Sequence, residues 1–218
     1  MEVQHFMLDS KGFDLWADGY DKSVNISDDN NEYPFAGYKD VLNIIYNKVR
    51  SKGKGTILDI GIGTGTLANK LYSDGYCIYG IDFSERMIEI AKEKMPSAEL
   101  YQYDISKGLP PEMDNIKFDY IISTYTIHHL YDKEKVEFIN SLTSYLNDDG
   151  EIIIGDIAFE NREKLEECRL KAGELWDDEE YYIVYDEIKD KFETVNISFI
   201  PIHHCEGLLY LQDNRRLR

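Results

Sequence analysis

The residues best suited to chemistry cluster around one glycine-rich turn, Leu58-Asp59-Ile60-Gly61-Ile62-Gly63-Thr64-Gly65. A turn of alternating glycines between a strand and a helix lets a ligand come close to the backbone. The plain alternative is a tight turn with no ligand, which does not need a glycine at every second position. The dinucleotide fingerprint requires glycine where this chain has Thr66, and a carboxylate at Asp59 sits badly beside a pyrophosphate. Asp59 suits a ligand that carries an ammonium group. Asp82 closes the next apolar run, where a carboxylate can accept from both hydroxyls of a ribose. Asp104 closes the third and can accept from the exocyclic amine of an adenine. Each acid alone reads as an ordinary solvated strand end. Three of them, at three successive strand ends beside one glycine loop, point to a nucleoside ligand with an amino-acid-like part.

A second group lies further along. His128 and His129 follow a fourth apolar run and Asp156 ends a fifth. His128, or failing it Asp156, would be the general base for an acceptor that must lose a proton. His129 reads more simply as a loop-packing residue. Tyr20 could close over the ligand from an N-terminal helix. His203 and Cys205 would share one strand face, but two donors without a third make no metal site, and none is expected. Trp176, Tyr181, Tyr182 and Tyr185 could wall an acceptor pocket, while the run Asp177-Asp178-Glu179-Glu180 reads as a solvated face.

The elements that must position these groups alternate. Tyr38, Val41, Leu42, Ile45, Tyr46 and Val49 form one face of a helix. Strand patterns follow at 56–60, 77–81, 99–103, 118–124 and 151–155, with helices over 66–73, after Ser84 and through Val136–Leu146. Asp149-Gly150 reads as the turn into the fifth strand. Such alternation predicts a doubly wound α/β sheet with right-handed crossovers. After Asp156 the pattern becomes charged and helical to Lys191. Two last apolar runs, 194–199 and 208–211, are too close for a parallel crossover and predict an antiparallel hairpin.

The whole chain, 218 residues with 43% hydrophobic and 30% charged, suits one globular domain. Its net charge of −18 repels phosphate backbones, so nucleic acid and anionic membrane are excluded as expected partners. Met1–Gly12 has neither a basic nor an apolar region of a signal peptide. The three cysteines, Cys77, Cys168 and Cys205, are odd in number and widely spaced, which excludes a disulfide framework. A cytoplasmic location is the expectation.

The Asp59–Gly65 loop followed by Asp82 and Asp104 resembles the signature of the class I S-adenosylmethionine-dependent methyltransferases. Phe13-Asp14-Leu15-Trp16-Ala17-x-x-Tyr20-Asp21 is similar to the opening of many small bacterial members. Ser123–Leu130 and Asp156–Phe159 look most like the YrrT-type group. The resemblance implies a Rossmann-like, seven-stranded, mostly parallel sheet with its last strand antiparallel. It implies that Asp59, Gly61, Gly63 and Gly65 hold the methionine part of S-adenosyl-L-methionine. Asp82 would hold the ribose and Asp104 the adenine, with Phe83, Ile105, Ser123 and Tyr20 in the same cofactor site. Residues 1–52 would be a helical lid and first helix, 53–218 the core, and 157–191 an acceptor-side segment. The implied reaction is methyl transfer to a small-molecule acceptor, releasing S-adenosyl-L-homocysteine. A non-catalytic sensor of either compound is the alternative.

Overall fold

A computed structural model describes residues 32–192 and 195–213. Tyr20, Phe13 and Trp16, and with them the lid, lie outside the described residues. The first described helix, α1 (Tyr38–Ser51), buries Val41, Leu42, Ile45 and Val49, the stripe expected from their spacing. Then β1 (Thr56–Ile60), α2 (Thr66–Ser73), β2 (Cys77–Asp82), α3 (Glu85–Lys94), β3 (Glu99–Gln102) and β4 (Phe118–Thr124) follow in strict alternation. The Ser84 hydroxyl caps α3 by accepting from the Met87 N–H at 3.1 Å. After α4 (Asp132–Leu142) come β5 (Leu146–Phe159), α5 (Arg162–Ala172), β6 (Ile183–Val184), α6 (Tyr185–Ile188), β7 (Val195–Pro201) and β8 (Glu206–Asp213).

The sheet order is β3-β2-β1-β4-β5-β8-β7. Strands β1 to β5 pair in parallel, and β8 runs antiparallel to both β5 and β7. The seven-stranded, mostly parallel sheet and the closing hairpin are as the sequence predicts. Its order reverses between β1 and β4, so the carboxyl ends of these two strands open a crevice. One apolar layer joins α1, α2 and α3 to a face of the sheet through residues such as Val41, Ile45, Leu71 and Ala91. The other packs Phe138, Ile139 and Leu142 of α4 and Ile188 of α6 against the opposite face.

Three expectations need correction. The helix before β5 ends at Leu142, with a single tight turn over Thr143–Tyr145, and Leu146 already belongs to the strand. Asp149-Gly150 is not a turn but lies within β5, where the register with β4 shifts between Phe118↔Leu146 and Tyr120↔Glu151. The extra residues bulge outward and lengthen the strand without breaking it. Finally, 160–191 is not continuously helical. An extended stretch leads to β6, which adds to the far end of β5 through Ala158↔Ile183 and Phe159↔Val184. The apolar pair Ile183-Val184 is fully covered there, which a surface helix would not achieve.

Glu151 ties three of these elements together. Its carboxylate meets Lys52 Nζ at 2.6 Å, just past α1, and accepts from Gln212 Nε2 of β8 at 2.5 Å. Burial would raise its pKa, but Lys52, Gln212 and Lys48 together hold it below the ordinary carboxylate value. A depressed folded-state pKa stabilises the fold above the unfolded value and loses that contribution as pH falls. Urea midpoints of the wild type should therefore drop between about pH 5 and 3 more steeply than those of Glu151→Gln.

Candidate active site

The glycine loop hangs from β2 as well as β1. The N–H groups of Gly61 and Ile62 donate to the Ile81 carbonyl at 2.8 and 3.0 Å. The Gly63 N–H donates to Asp82 Oδ2 at 2.8 Å, while Asp82 Oδ1 accepts from the Ser84 N–H at 2.9 Å. Asp82 thus pins the loop in addition to standing at the strand end facing the crevice. Gly61 has φ +70°, and a Cβ there would come within 1.9 Å of Thr126 Oγ1. Gly63 has φ +54°, and a Cβ there would meet nothing within 4 Å. The first glycine lets β1 pass the loop after β4. The second leaves its backbone bare toward the crevice.

Asp59 is 2% exposed and its Oδ1 has no hydrogen-bond partner. Burial, and then the nearby Asp82 carboxylate, push its pKa up to about 8. It lines a pocket together with Tyr38, Leu42, Gly61, Gly63, Thr64, Thr66 and Thr124. An orphaned buried acceptor facing open space beside a bare backbone is what a bound ammonium would complete.

The remaining strand-end residues divide. Asp104 stands after β3 and caps the next turn, accepting from the Ser106 N–H and hydroxyl at 3.0 and 2.7 Å and pairing with Lys107 at 3.2 Å. Burial would raise its pKa, but these partners outweigh that and hold it low, so it stays a charged acceptor. Ile105 begins that turn. Phe83 is 39% exposed right after Asp82, an apolar ring left uncovered beside the crevice. Ser123 is a correction: its buried hydroxyl donates to the Ile60 carbonyl at 2.9 Å and stitches β4 to β1. The next residue, Thr124, reaches the pocket instead, because successive strand residues face opposite ways.

Across the crevice, Tyr125 takes φ +50°, a sparsely populated conformation for an aromatic residue. Its N–H donates to the Gly155 carbonyl at 2.9 Å, and its buried hydroxyl has no partner. The tight turn after it delivers His128 onto Asp156. His128 Nδ1 lies 2.5 Å from Asp156 Oδ1, and Asp156 Oδ2 accepts from the Ile127 N–H at 2.9 Å. On its far side, His128 Nε2 is 3.5 Å from Glu180 Oε1. Burial alone would lower the His128 pKa, but the carboxylates of Asp156 and Glu180 outweigh it and raise it to about 10. The two carboxylates thus favour the imidazolium, the form that has no lone pair to offer as a base. Glu180, expected on a solvated face, is brought in because the backbone of Tyr181 donates to the His128 carbonyl at 2.9 Å. His129 is the more exposed of the two, with Nδ1 4.0 Å from Glu180 Oε1. The two carboxylates outnumber the one imidazolium between them.

The expected aromatic wall separates into pieces. Trp176 stacks on Tyr33 at 5.2 Å and meets Tyr182 edge-on at 4.8 Å, and the hydroxyls of Tyr33 and Tyr182 are hydrogen-bonded. Tyr181 packs on Tyr131 and Tyr185 stacks on Phe199, both away from that group. His203 bonds Asp40 at 3.0 Å and is not the partner of Cys205.

A family model described as a methyltransferase domain matches residues 51–200. The chain belongs to the class I S-adenosylmethionine-dependent methyltransferases. Among its relatives, an uncharacterized methyltransferase of Anoxybacillus flavithermus is 34% identical over 206 residues, covering 90% of this chain and 94% of the relative. One of Bacillus cereus is 36% identical over 203 residues, covering 88% and 92%. The fold is similar to that of DhpI in its complex with SAH, with a TM-score of 0.65, 17% identity and coverage of 94% and 95%. The plantazolicin methyltransferase BpumL, solved with a monoazolic desmethylPZN analog and SAH, gives a TM-score of 0.62 at 19% identity, covering 94% and 98%. This methyltransferase uses S-adenosylmethionine as methyl donor.

The two glycines should separate in experiment. Gly61→Ala is expected to lower folding stability by at least about 2 kcal/mol, left-handed strain and overpacking each contributing roughly 1–3 kcal/mol. Gly63→Ala should fold with a smaller loss, near 1–2 kcal/mol, yet bind S-adenosylhomocysteine at least tenfold more weakly. Urea unfolding and calorimetry on both variants check this.

Proposed function

We propose that this methyltransferase acts on a small-molecule acceptor admitted between the glycine loop and the Tyr33–Trp176–Tyr182 side of the crevice. The observation that carries the cofactor half is the orphaned Asp59 Oδ1 in the pocket beside Gly63. In this reading Asp59 holds the α-ammonium of S-adenosylmethionine, and the Gly61–Gly65 loop lies along its methionine part. Asp82 accepts from the ribose hydroxyls with its remaining lone pairs, Phe83 and Ile105 cover the adenine, and Asp104 accepts from the adenine amine. The bound cofactor supplies a methyl group on a cationic sulfur. The chain's own task is to align an acceptor atom with that methyl and to exclude water, which is worth up to roughly 7–11 kcal/mol. A small acceptor is supported by the net charge of −18, which disfavours nucleic acid, and by the azole analog in the complex of the similar BpumL.

In the same reading, His128 and Asp156 form a positioning pair. The imidazolium clamps the 176–182 segment through Glu180 and leaves the acceptor to supply its own nucleophilic lone pair. A thiolate or a neutral amine fits this requirement, since neither needs a base at the moment of transfer.

Two measurements test the proposal. With its pKa near 8, Asp59 is largely protonated at pH 7 in the free protein, and an adjacent ammonium would ionise it. S-adenosylhomocysteine binding should therefore release a fraction of a proton, read as a dependence of calorimetric enthalpy on buffer ionisation heat. Asp59→Asn should abolish that dependence. Asp82→Ala should weaken binding by about ten- to a hundred-fold, the loss of a charged hydrogen-bonding group worth roughly 1.5–3 kcal/mol. Binding of equal strength to wild type and Asp82→Ala would overturn the assignment.

The His128 pair predicts a distinct pH dependence. Its folded-state pKa lies above the unfolded value, so its stabilisation is complete below about pH 6.5 and is lost as pH rises toward 10. Urea midpoints of the wild type should fall over that range, and those of His128→Gln should start lower and stay flatter. Cofactor affinity should survive the substitution. A general base would behave otherwise, with turnover rising through pH 6.5 and no such decline in stability.

A further inference from the structure

The structure brings Cys168 beside His204 and Cys205, from which the sequence keeps it far apart. Cys168 lies on α5 and is 2% exposed, and Cys205, at the turn between β7 and β8, is fully buried. Their sulfur atoms and a ring nitrogen of the exposed His204 all lie within 4.8 Å of one another. Glu206, also fully buried, places Oε1 3.1 Å from Cys205 Sγ, and its carboxyl is held by the Ala36 and Gly37 backbone. Two thiols and an imidazole converge at one point, a donor set that can hold a metal ion.

We propose that Cys168, His204 and Cys205 form a structural site for a tetrahedral, thiophilic divalent cation of the zinc type, with a water as the fourth ligand. The geometry is close. An ion at the centre of the donor triangle would lie at most about 2.8 Å from each donor, against roughly 2.0–2.3 Å in a formed site, so sub-ångström side-chain adjustments suffice. The donor types select the ion: two sulfurs with nitrogen and oxygen in tetrahedral array favour zinc over magnesium or calcium. Binding replaces the two thiol protons by one cation and releases both to solvent. His204, at the surface, provides the entry path.

The site would fasten α5 to the β7–β8 turn. Cys205 also accepts from the Ala158 N–H at 3.0 Å, two residues beyond Asp156, so the staple anchors the acceptor-side segment where it leaves the sheet. The consequence is stability of that segment, with no part in methyl transfer itself.

The test is a cobalt(II) titration of the full, reduced, metal-stripped chain under anaerobic conditions. One equivalent should give thiolate-to-cobalt charge-transfer absorption in the near ultraviolet, together with the intense visible bands of a tetrahedral ion, and zinc should erase both. Cys77→Ser, which alters an exposed thiol elsewhere, should behave as wild type. Cys168→Ser should lose the charge-transfer bands. His204→Ala, at an exposed position that cannot unfold the core, should bind at least tenfold more weakly. Zinc should raise the Tm of wild type and of Cys77→Ser but not of Cys168→Ser. Absence of charge-transfer bands in the reduced folded protein would overturn the proposal, as would bands that persist in Cys168→Ser. A disulfide between Cys168 and Cys205 forming on mild oxidation, in a chain that binds no cobalt when reduced, would make the pair a redox couple and equally reject the metal site.

Discussion

Two carboxylates stand at the ends of neighbouring strands, Asp59 on β1 and Asp82 on β2, and the rest of the molecule is arranged around the cost of keeping them there. Asp59 is buried against Asp82, and burial and repulsion together raise its pKa. Asp82 offsets its own charge by accepting from the backbone of Gly63 and Ser84. Those two bonds hold the glycine loop in a shape that leaves the Gly63 backbone open. The strain of the pair and the openness of the loop are one feature, and a cationic ligand relieves the first by entering the second.

The opposite wall of the crevice is governed by a buried ion triad. Asp156 ends the deepest part of β5, where an unpaired carboxylate would be untenable, and it is satisfied by the Ile127 and Ile157 N–H groups and by the His128 ring. Glu180 adds a second carboxylate from a distant loop, on the other ring nitrogen of His128. Tyr125, held with positive φ at the end of β4, makes the sharp turn that brings His128 to Asp156. Backbone strain of this kind persists only where the surroundings over-determine it, and here β1, β4 and β5 all bear on the same turn.

Glycine close-packing connects the two walls. Thr126 sits where a Cβ of Gly61 would be, so the loop after β1 and the loop after β4 share one volume. A change on either side is felt on the other, because close-packed neighbours cannot yield independently. The two walls of the crevice are therefore mechanically one unit at the strand-order reversal.

By itself the sequence determined the alternation of strands and helices, the parallel core with its antiparallel closing hairpin, and the glycine-rich turn with Asp59, Asp82 and Asp104 at strand ends. These are local facts: apolar periodicity, a cap at Ser84, and acids at the ends of apolar runs are readable within short windows. Only the tertiary structure decided what depends on distant residues meeting. It exchanged Ser123 for Thr124 at the pocket, because strand pairing commits the Ser123 hydroxyl to Ile60. It turned Glu180 from one acid in a solvated run into the partner of His128, and set carboxylates on both ring nitrogens of that histidine. It separated His203 from Cys205 and set His204 and Cys168 beside that sulfur. Titration and ligation depend on burial and on charges a few ångströms away, and such neighbours come from residues tens of positions apart, so they exist only once the chain has folded.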